Sequence, residues 1–334
     1  TDGRLVAAIF ATGELVCLNM KGERTWAKHL GVPNNHYGHA SSLICDDELL
    51  FVQYDQKENS KLLAFKMATG KPAWQADRDE MSWSSPILID NKGRAELILT
   101  DSKSVASYNP KTGHRYWRVE CLSGELAPSA TYAGGVVFVV NEGAAASAID
   151  ISNHQEEPNI LWQWDESLPD TASPVANDDY LLLPTAFGVV TCLAAKTGKV
   201  LWEHEFNRGF NSSPILVNDR IYLIDLSGTA RVFRLSEKFE LLGEADLGEP
   251  VYATPALVAY RVFVRGLSDP GRRPPPRSRC PKAHSLTGVS ASRSRWSGLR
   301  TSSASGFPVS HSPIPTGCGS SSWPTPRPTT DGSG

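Results

Sequence analysis

The residues of this chain whose types could do chemistry are His36, His39, Trp83, Glu125, Asp170, Arg208, Asn211 and Tyr252, and they are far apart in sequence. Together they offer two imidazoles, two carboxylates, a guanidinium, an amide and two aromatic planes. That set can stack on a flat ligand, grip a polar group or contribute ligands to a cation. It is not a catalytic set. His36 and His39 are three apart in the segment Asn34-Asn35-His36-Tyr37-Gly38-His39, which reads as extended loop. A metal there needs a third ligand from elsewhere, so loop hydrogen bonding is the expected role. No GxSxG, HExxH, P-loop or GxGxxG pattern occurs. The six cysteines include no adjacent pair and no CxxC spacing. Asn211-Ser212-Ser213 fits a glycosylation sequon, but it opens an apolar strand and reads as structural. The expectation is therefore a ligand site without catalytic residues and without a metal.

Such scattered residues need a scaffold that brings them together, and the sequence repeats one. Thr69-Gly70 leads to Trp74, Thr112-Gly113 to Trp117 and Thr197-Gly198 to Trp202. Met20-Lys21-Gly22 before Trp26 is a weaker copy, Trp162 closes a divergent one, and Leu242 takes the tryptophan place in the last. The interval is roughly 40 to 48 residues, the size of one four-stranded propeller blade. The second half of each repeat is a small-residue and proline segment before an apolar strand: Ser84-Ser85-Pro86, Ala172-Ser173-Pro174, Ser212-Ser213-Pro214 and Ala253-Thr254-Pro255. Ala40-Ser41-Ser42 and Ala127-Pro128-Ser129 are degenerate copies. Turns such as Gly134-Gly135 and Asn218-Asp219 separate runs of about five β-branched and aromatic residues, which argues strands. No amphipathic helix is expected. The fold class is all-β: a propeller of four-stranded antiparallel blades, with six to seven present from a ring of seven or eight. Strand 253–258 could instead complete the first blade and give a ring of six.

Ala195-Lys196-Thr197-Gly198-Lys199-Val200-Leu201-Trp202 followed by Ser212-Ser213-Pro214 resembles the pyrroloquinoline-quinone (PQQ) repeat β-propellers. Asn35-His36-Tyr37-Gly38-His39-Ala40-Ser41-Ser42 resembles a stretch common in PQQ-binding-like propellers of bacteria. The resemblance covers residues 1–266. It implies that Trp26, Trp74, Trp117, Trp162 and Trp202 dock each blade onto its neighbour. The family contains quinoprotein dehydrogenases, a lipoprotein of the outer-membrane assembly machine and other exported proteins, so fold alone does not set function. It implies export to the periplasm. A quinoprotein oxidoreductase would use PQQ and Ca²⁺, with Trp83 stacking and Asp170 or Glu125 ligating. Such enzymes usually carry vicinal cysteines, which this chain lacks. The primary expectation is a non-catalytic scaffold without a cofactor that binds a protein or small ligand. A carbohydrate-binding propeller is a second alternative, motivated by Trp83 and Tyr252.

Propeller ligands sit in the axial funnel, on loops that lead into the innermost strands. The residue three before the repeat proline, or its equivalent, is His39, Trp83, Leu126, Thr171, Asn211 and Tyr252. His36, Arg78, Glu80, Glu125, Asp170, Arg208 and Phe210 stand in the same loops. These residues are expected around one end of the channel.

Charge is unevenly placed. The chain has 33 Lys and Arg against 36 Asp and Glu; the stretch after Gly266 holds 9 and 2 of them, leaving 24 and 34 in residues 1–266. An acidic propeller repels phosphate, so no nucleic-acid partner is expected. No apolar run approaches the ~20 residues of a membrane helix. Cys17 and Cys192 fall at one repeat position with Ala64, Ser107, Ala148 and Val232, which reads as buried core rather than a disulfide. A seventh repeat begins at Ala253 and breaks off near Gly266. Residues 267–334 are rich in Ser, Pro, Arg and Gly, a composition that cannot bury a core. They are expected to be a disordered tail, read most simply as a reading-frame shift. The chain starts in mid-repeat, so a leader upstream is not excluded.

Overall fold

β-Branched and aromatic runs become the inner strands of each sheet, and Gly, Asn and Asp become the turns. Asn218 (φ 56°) and the pair Gly134 and Gly135 (φ 55° and 85°) take the left-handed conformation that tight hairpins demand. The structure is a computed structural model and describes residues 1–46, 48–258 and 261–267, with the backbone of His284–Ser285. All of these lie in one compact unit, Thr1–Thr287.

No helix occurs among the described residues, and the strands form seven antiparallel sheets, each in sequence order. Blade 1 is β1 (Leu5–Ile9), β2 (Glu14–Asn19) and β3 (Arg24–His29). Blade 2 is β4 (Ile44–Cys45), β5 (Leu49–Tyr54), β6 (Lys61–Lys66) and β7 (Pro72–Asp77). Blade 3 is β8 (Ile87–Asn91), β9 (Arg94–Thr100), β10 (Ser104–Tyr108) and β11 (Arg115–Glu120). Blade 4 is β12 (Thr131–Ala133), β13 (Val136–Val140), β14 (Ala146–Asp150) and β15 (Asn159–Trp164). Blade 5 is β16 (Val175–Ala176), β17 (Tyr180–Pro184), β18 (Val189–Ala194) and β19 (Val200–Glu205). Blade 6 is β20 (Ile215–Val217), β21 (Arg220–Ile224), β22 (Thr229–Arg234) and β23 (Glu240–Asp246). The seventh sheet is β24 (Ala256–Val258), β25 (Arg261–Val264) and β26 (His284–Ser285). This is an all-β propeller.

Two expectations are corrected. β24 pairs with β25 alone and does not join β1, so it does not complete blade 1. In blade 6 the residue opposite Val232 is Gly243, and Leu242 is the extra residue of a register shift, so the tryptophan place passes to glycine. The expectations for residues 267–334 lie outside the described residues, apart from Leu267, whose N–H donates to Pro250 O at 2.9 Å, and the β26 backbone.

The core lies between blades. Leu182, Val190 and Cys192 of blade 5 pack with Ile221, Leu223 and Phe233 of blade 6. Leu15 and Cys17 of blade 1 pack with Leu50, Val52 and Phe65 of blade 2. Cys17 and Cys192 are buried free thiols, and burial pushes the Cys192 thiol up to about 12.

Two hydrogen-bond sets tie the blades. At the outer edge, indole N–H groups donate to the next blade's turn: Trp26 to Met67 O, Trp74 to Pro110 O, Trp162 to Ala195 O and Trp202 to Ser236 O, at 2.8–2.9 Å. The rings of Trp26, Trp74 and Trp162 lie on Gly70, Gly113 and Gly198, where a Cβ would come within 2.5–2.7 Å of the indole. At the inner edge, the backbone N–H of Ser42 donates to Ser85 Oγ, Ser85 to Ser129, Ser129 to Ser173, Ser173 to Ser213 and Ser213 to Thr254, at 2.8–2.9 Å. The hydroxyl of the small-residue segment is thus a rivet between neighbouring innermost strands.

Trp117 departs from this pattern. Blade 4 has no Thr-Gly turn, and the Trp117 indole donates instead to Glu96 Oε2 at 3.0 Å within its own blade. Asn91 Nδ2 makes the bond to the next blade, to Ile151 O at 2.8 Å. The ring still packs with Val137, Val139, Ile149 and Ile151 of blade 4.

Candidate functional site

Antiparallel strands alternate in direction. The loops joining one blade's outermost strand to the next blade's innermost strand therefore lie at the same end as the loops joining second to third strands. This end is the mouth. It carries residues 30–43, 78–86, 121–130, 165–174, 206–214 and 247–255, with the shorter loops 10–13, 55–60, 101–103, 141–145, 185–188 and 225–228.

The segment between β3 and β4 is long and is held down at many points. Tyr54 Oη donates to Gly31 O. Asn34 accepts from Lys57 N–H at 3.0 Å, Asn35 Nδ2 donates to Asp55 O at 3.3 Å, and His39 N–H donates to Ala11 O at 3.1 Å. This strap crosses from blade 1 over blade 2 and presents a cluster at its apex. Trp83 Nε1 donates to Asn35 Oδ1 at 2.8 Å, and Trp83 N–H to Leu126 O at 2.8 Å. The His36 and Tyr37 rings stand edge-on to Trp83 with centroids 5.1 Å away. His36 Nε2 reaches Glu125 Oε1 at 3.2 Å across 89 residues of sequence. Three successive mouth loops thus meet at one exposed aromatic, imidazole and carboxylate group.

Beneath the cluster is a buried ion pair. Arg78 Nε donates to Asp55 Oδ1 at 2.7 Å and Nη2 to Asp55 Oδ2 at 3.0 Å, with both side chains at most 2% exposed. Gln53, Ser82, Ser84 and the Thr100 carbonyl complete the network. Burial alone would lower the Arg78 pKa, and the Asp55 carboxylate more than offsets it, so the guanidinium stays charged. Arg78 also donates to Thr100 O of β9, which ties the end of β7 to blade 3.

The predicted residues divide. His36, Trp83 and Glu125 touch, directly or through the same ring. His39 lies in the same strap but faces inward, stacked on Tyr54 at 5.4 Å with its Nε2 2.9 Å from Ser41 O. Burial holds its pKa below the usual imidazole value. Asp170 and Arg208 are exposed, Asn211 is half-buried and Tyr252 is 52% exposed, all in mouth loops without a direct contact to the cluster. Arg78 and Phe210 are buried and face the core rather than the mouth. Sequence reasoning missed Tyr37, Phe10 and Phe187. The signal was a phenylalanine in a polar turn, Phe10-Ala11-Thr12-Gly13 and Ala186-Phe187-Gly188.

The groups expected to serve a quinone and calcium site are engaged with one another. His36 and Tyr37 both pack against the Trp83 ring, and Glu125 is engaged by His36. Among the described residues no three His, Cys, Asp or Glu side chains converge as metal ligands.

Residues 90–172 and 154–238 match the family model described as outer membrane protein assembly factor BamB, of the PQQ repeat class. Over these residues it is a PQQ-repeat β-propeller, BamB-like in its blades. BamB from Moraxella catarrhalis superposes with a TM-score of 0.64 at 13% identity, over 79% of each chain. Sqt1 from Saccharomyces cerevisiae superposes with a TM-score of 0.60 at 11% identity, also over 79% of each chain. At such identities the likeness shows the fold alone. No curated protein matches the sequence. No helix among the described residues is long and apolar enough to cross a membrane.

Proposed function

We propose that this PQQ-repeat propeller is a non-catalytic scaffold that binds another protein through its mouth, in the bacterial cell envelope. The observation that carries the reading is the distribution of exposed aromatics. Among the described residues the aromatic side chains more than half exposed are Phe10, Tyr37, Phe187 and Tyr252, at 57, 64, 60 and 52%. All four stand in mouth loops, on four different inter-strand connections. Aromatic residues with a polar rim are the usual anchors of protein interfaces, because they bury much area at small entropic cost. The buried Asp55–Arg78 pair and the serine rivets hold the platform rigid, which lowers the ordering cost of binding. The match to a model named for an outer-membrane assembly factor supports an exported protein whose role is assembly.

The test is site-specific photocrosslinking in the producing cell. A benzophenone side chain at Tyr37, Phe187 or Tyr252 should give a discrete adduct. The same probe at Met20, exposed at the opposite end, should not. Adducts from Met20 alone would move the interface away from the mouth. Micromolar PQQ binding with Ca²⁺-dependent alcohol oxidation would overturn the non-catalytic reading.

A further inference from the structure

Three consecutive mouth connections carry a cluster of exposed carboxylates. The loops 121–130, 141–145 and 165–174 contain Glu125, Glu142, Asp165, Glu166 and Asp170 and no Lys or Arg. All five carboxylates are exposed. Glu125 is met only by the His36 ring, and the other four have no ion-pair or hydrogen-bond partner among the described residues. Elsewhere at this end Glu80 pairs with Lys103 and Asp77 with Lys61, and Glu58, unpaired among the described residues, stands alone in its loop next to Lys57.

A second observation falls at the centre of the same loops. Asn141 is 2% exposed, and its Nδ2 donates to Glu125 O at 2.5 Å, which fastens the 141–145 loop beside the 121–130 loop. Its Oδ1 accepts no hydrogen bond. A buried acceptor without a donor is costly, and this one is sealed from solvent, so a donor reaches it and removes that cost only when the 141–145 loop shifts. Glu142 follows it directly, and the Tyr37, His36 and Trp83 platform adjoins through Glu125.

Resting on the mouth as a protein-binding surface, we infer that its partner presents a Lys- or Arg-bearing segment to the arc from Tyr37 to Asp170. Guanidinium and ammonium groups supply only donors, which suits five carboxylates and an unsatisfied amide oxygen. They also stack on aromatic faces. The carboxylates are strung over three blades and do not converge as metal ligands, which fits an extended polycationic segment better than one ion.

The experiment selects peptides from a random phage-displayed library on the full chain. Selected peptides are then made with and without Lys and Arg replaced by Gln, and their binding is read by fluorescence polarisation. Selected sequences should be enriched in Lys and Arg. The Gln versions should bind at least about tenfold more weakly, and raised salt should weaken the cationic peptides. The combined Glu142→Gln, Asp165→Asn and Asp170→Asn variant should lose a similar factor. These side chains have no partners, so the variant's melting temperature should be unchanged. Neutral or acidic peptides whose binding is lost on Tyr37→Ala would overturn the cationic inference and leave the mouth reading standing. Peptides indifferent to all four substitutions, or no selected peptides at all, would overturn both.

Discussion

Glu96 shows how one residue can replace a repeat rule. The carboxylate is fully buried, and it accepts from Ser107 Oγ at 2.5 Å, Trp117 Nε1 at 3.0 Å, Asn91 Nδ2 at 2.9 Å and Arg94 at 2.8–3.0 Å. Burial would raise its pKa, but the hydrogen bonds from Ser107, Asn91 and Arg94 outweigh this and hold it below the ordinary carboxylate value. A depressed carboxylate stabilises the fold fully above its unfolded pKa of ~4.3 and loses that contribution as pH falls through the folded value. Glu96→Gln should therefore cost about 1.5–3 kcal/mol at pH 7, as for a hydrogen bond to a charged group. The gap in thermal stability between wild type and variant should shrink below pH ~4. A gap that stays constant down to acid would mean that the charge contributes nothing. The position of Trp117 was legible in the sequence, but its partner was not. Glu96 looks like any strand glutamate, and nothing in the sequence shows that Asn91 takes the Ile151 carbonyl of blade 4 and leaves the Trp117 indole to Glu96. Where the neighbouring turn does offer a carbonyl, Trp202→Ala should cost on the order of 3–5 kcal/mol, because a large ring leaves a cavity among Phe233 and Phe239. Urea unfolding of the variant measures it, and a loss below about 1 kcal/mol would contradict the docking role.

At the scale of elements, the repeat is a joining device as much as a strand pattern. The Ser-Ser-Pro segment was visible as a strand opener, yet its use lies in the second hydroxyl, which accepts from the preceding blade's backbone. That was not legible, because an acceptor in space leaves no mark on sequence spacing. It explains why the degenerate copy at Ser129 keeps a hydroxyl after losing the proline register. Ser129→Ala should strand the Ser85 N–H and cost about 1–3 kcal/mol, whereas Ser129→Thr should be nearly neutral. Equal losses for Ala and Thr, in the same denaturant titration, would point to packing instead. The Thr-Gly turn is read more directly. Gly113 has φ +74°, and a Cβ there would lie 2.5 Å from the Trp74 ring. Gly113→Ala should destabilise through both strain and clash, by about 1–3 kcal/mol, and Trp74 fluorescence should shift as the indole is displaced.

Across the described unit, stability should follow how much core each pair of blades shares. Blades 2 to 6 each bury strands against two neighbours; in blade 4, β13 is buried over four of its five residues. The seventh sheet is different. The core it shares with blade 6 is Ile224, Val251 and Val264, and β24 keeps Val258 60% exposed. The same topology made the blades legible and the mouth only half so. Period and turn chemistry repeat, so strand order and the end occupied by His36, Trp83 and Glu125 followed from the sequence. The strap that draws those three together is held by bonds specific to one loop, such as Trp83 to Asn35, and no repeat foretells them. Local openings cost least where few apolar contacts must be broken. In native-state hydrogen exchange, amides of β25 should therefore open with a free energy at least about 2 kcal/mol below those of β13 and β17. The strap and the 78–86 loop, although not strands, should protect the His39 and Trp83 amides, whose N–H groups are bonded to Ala11 O and Leu126 O. Equal protection of β25 and β13 would mean that the propeller opens as one cooperative unit. Free exchange at Trp83 and His39 would mean that the strap is not fixed in solution, and that the aromatic platform forms only when a partner holds it.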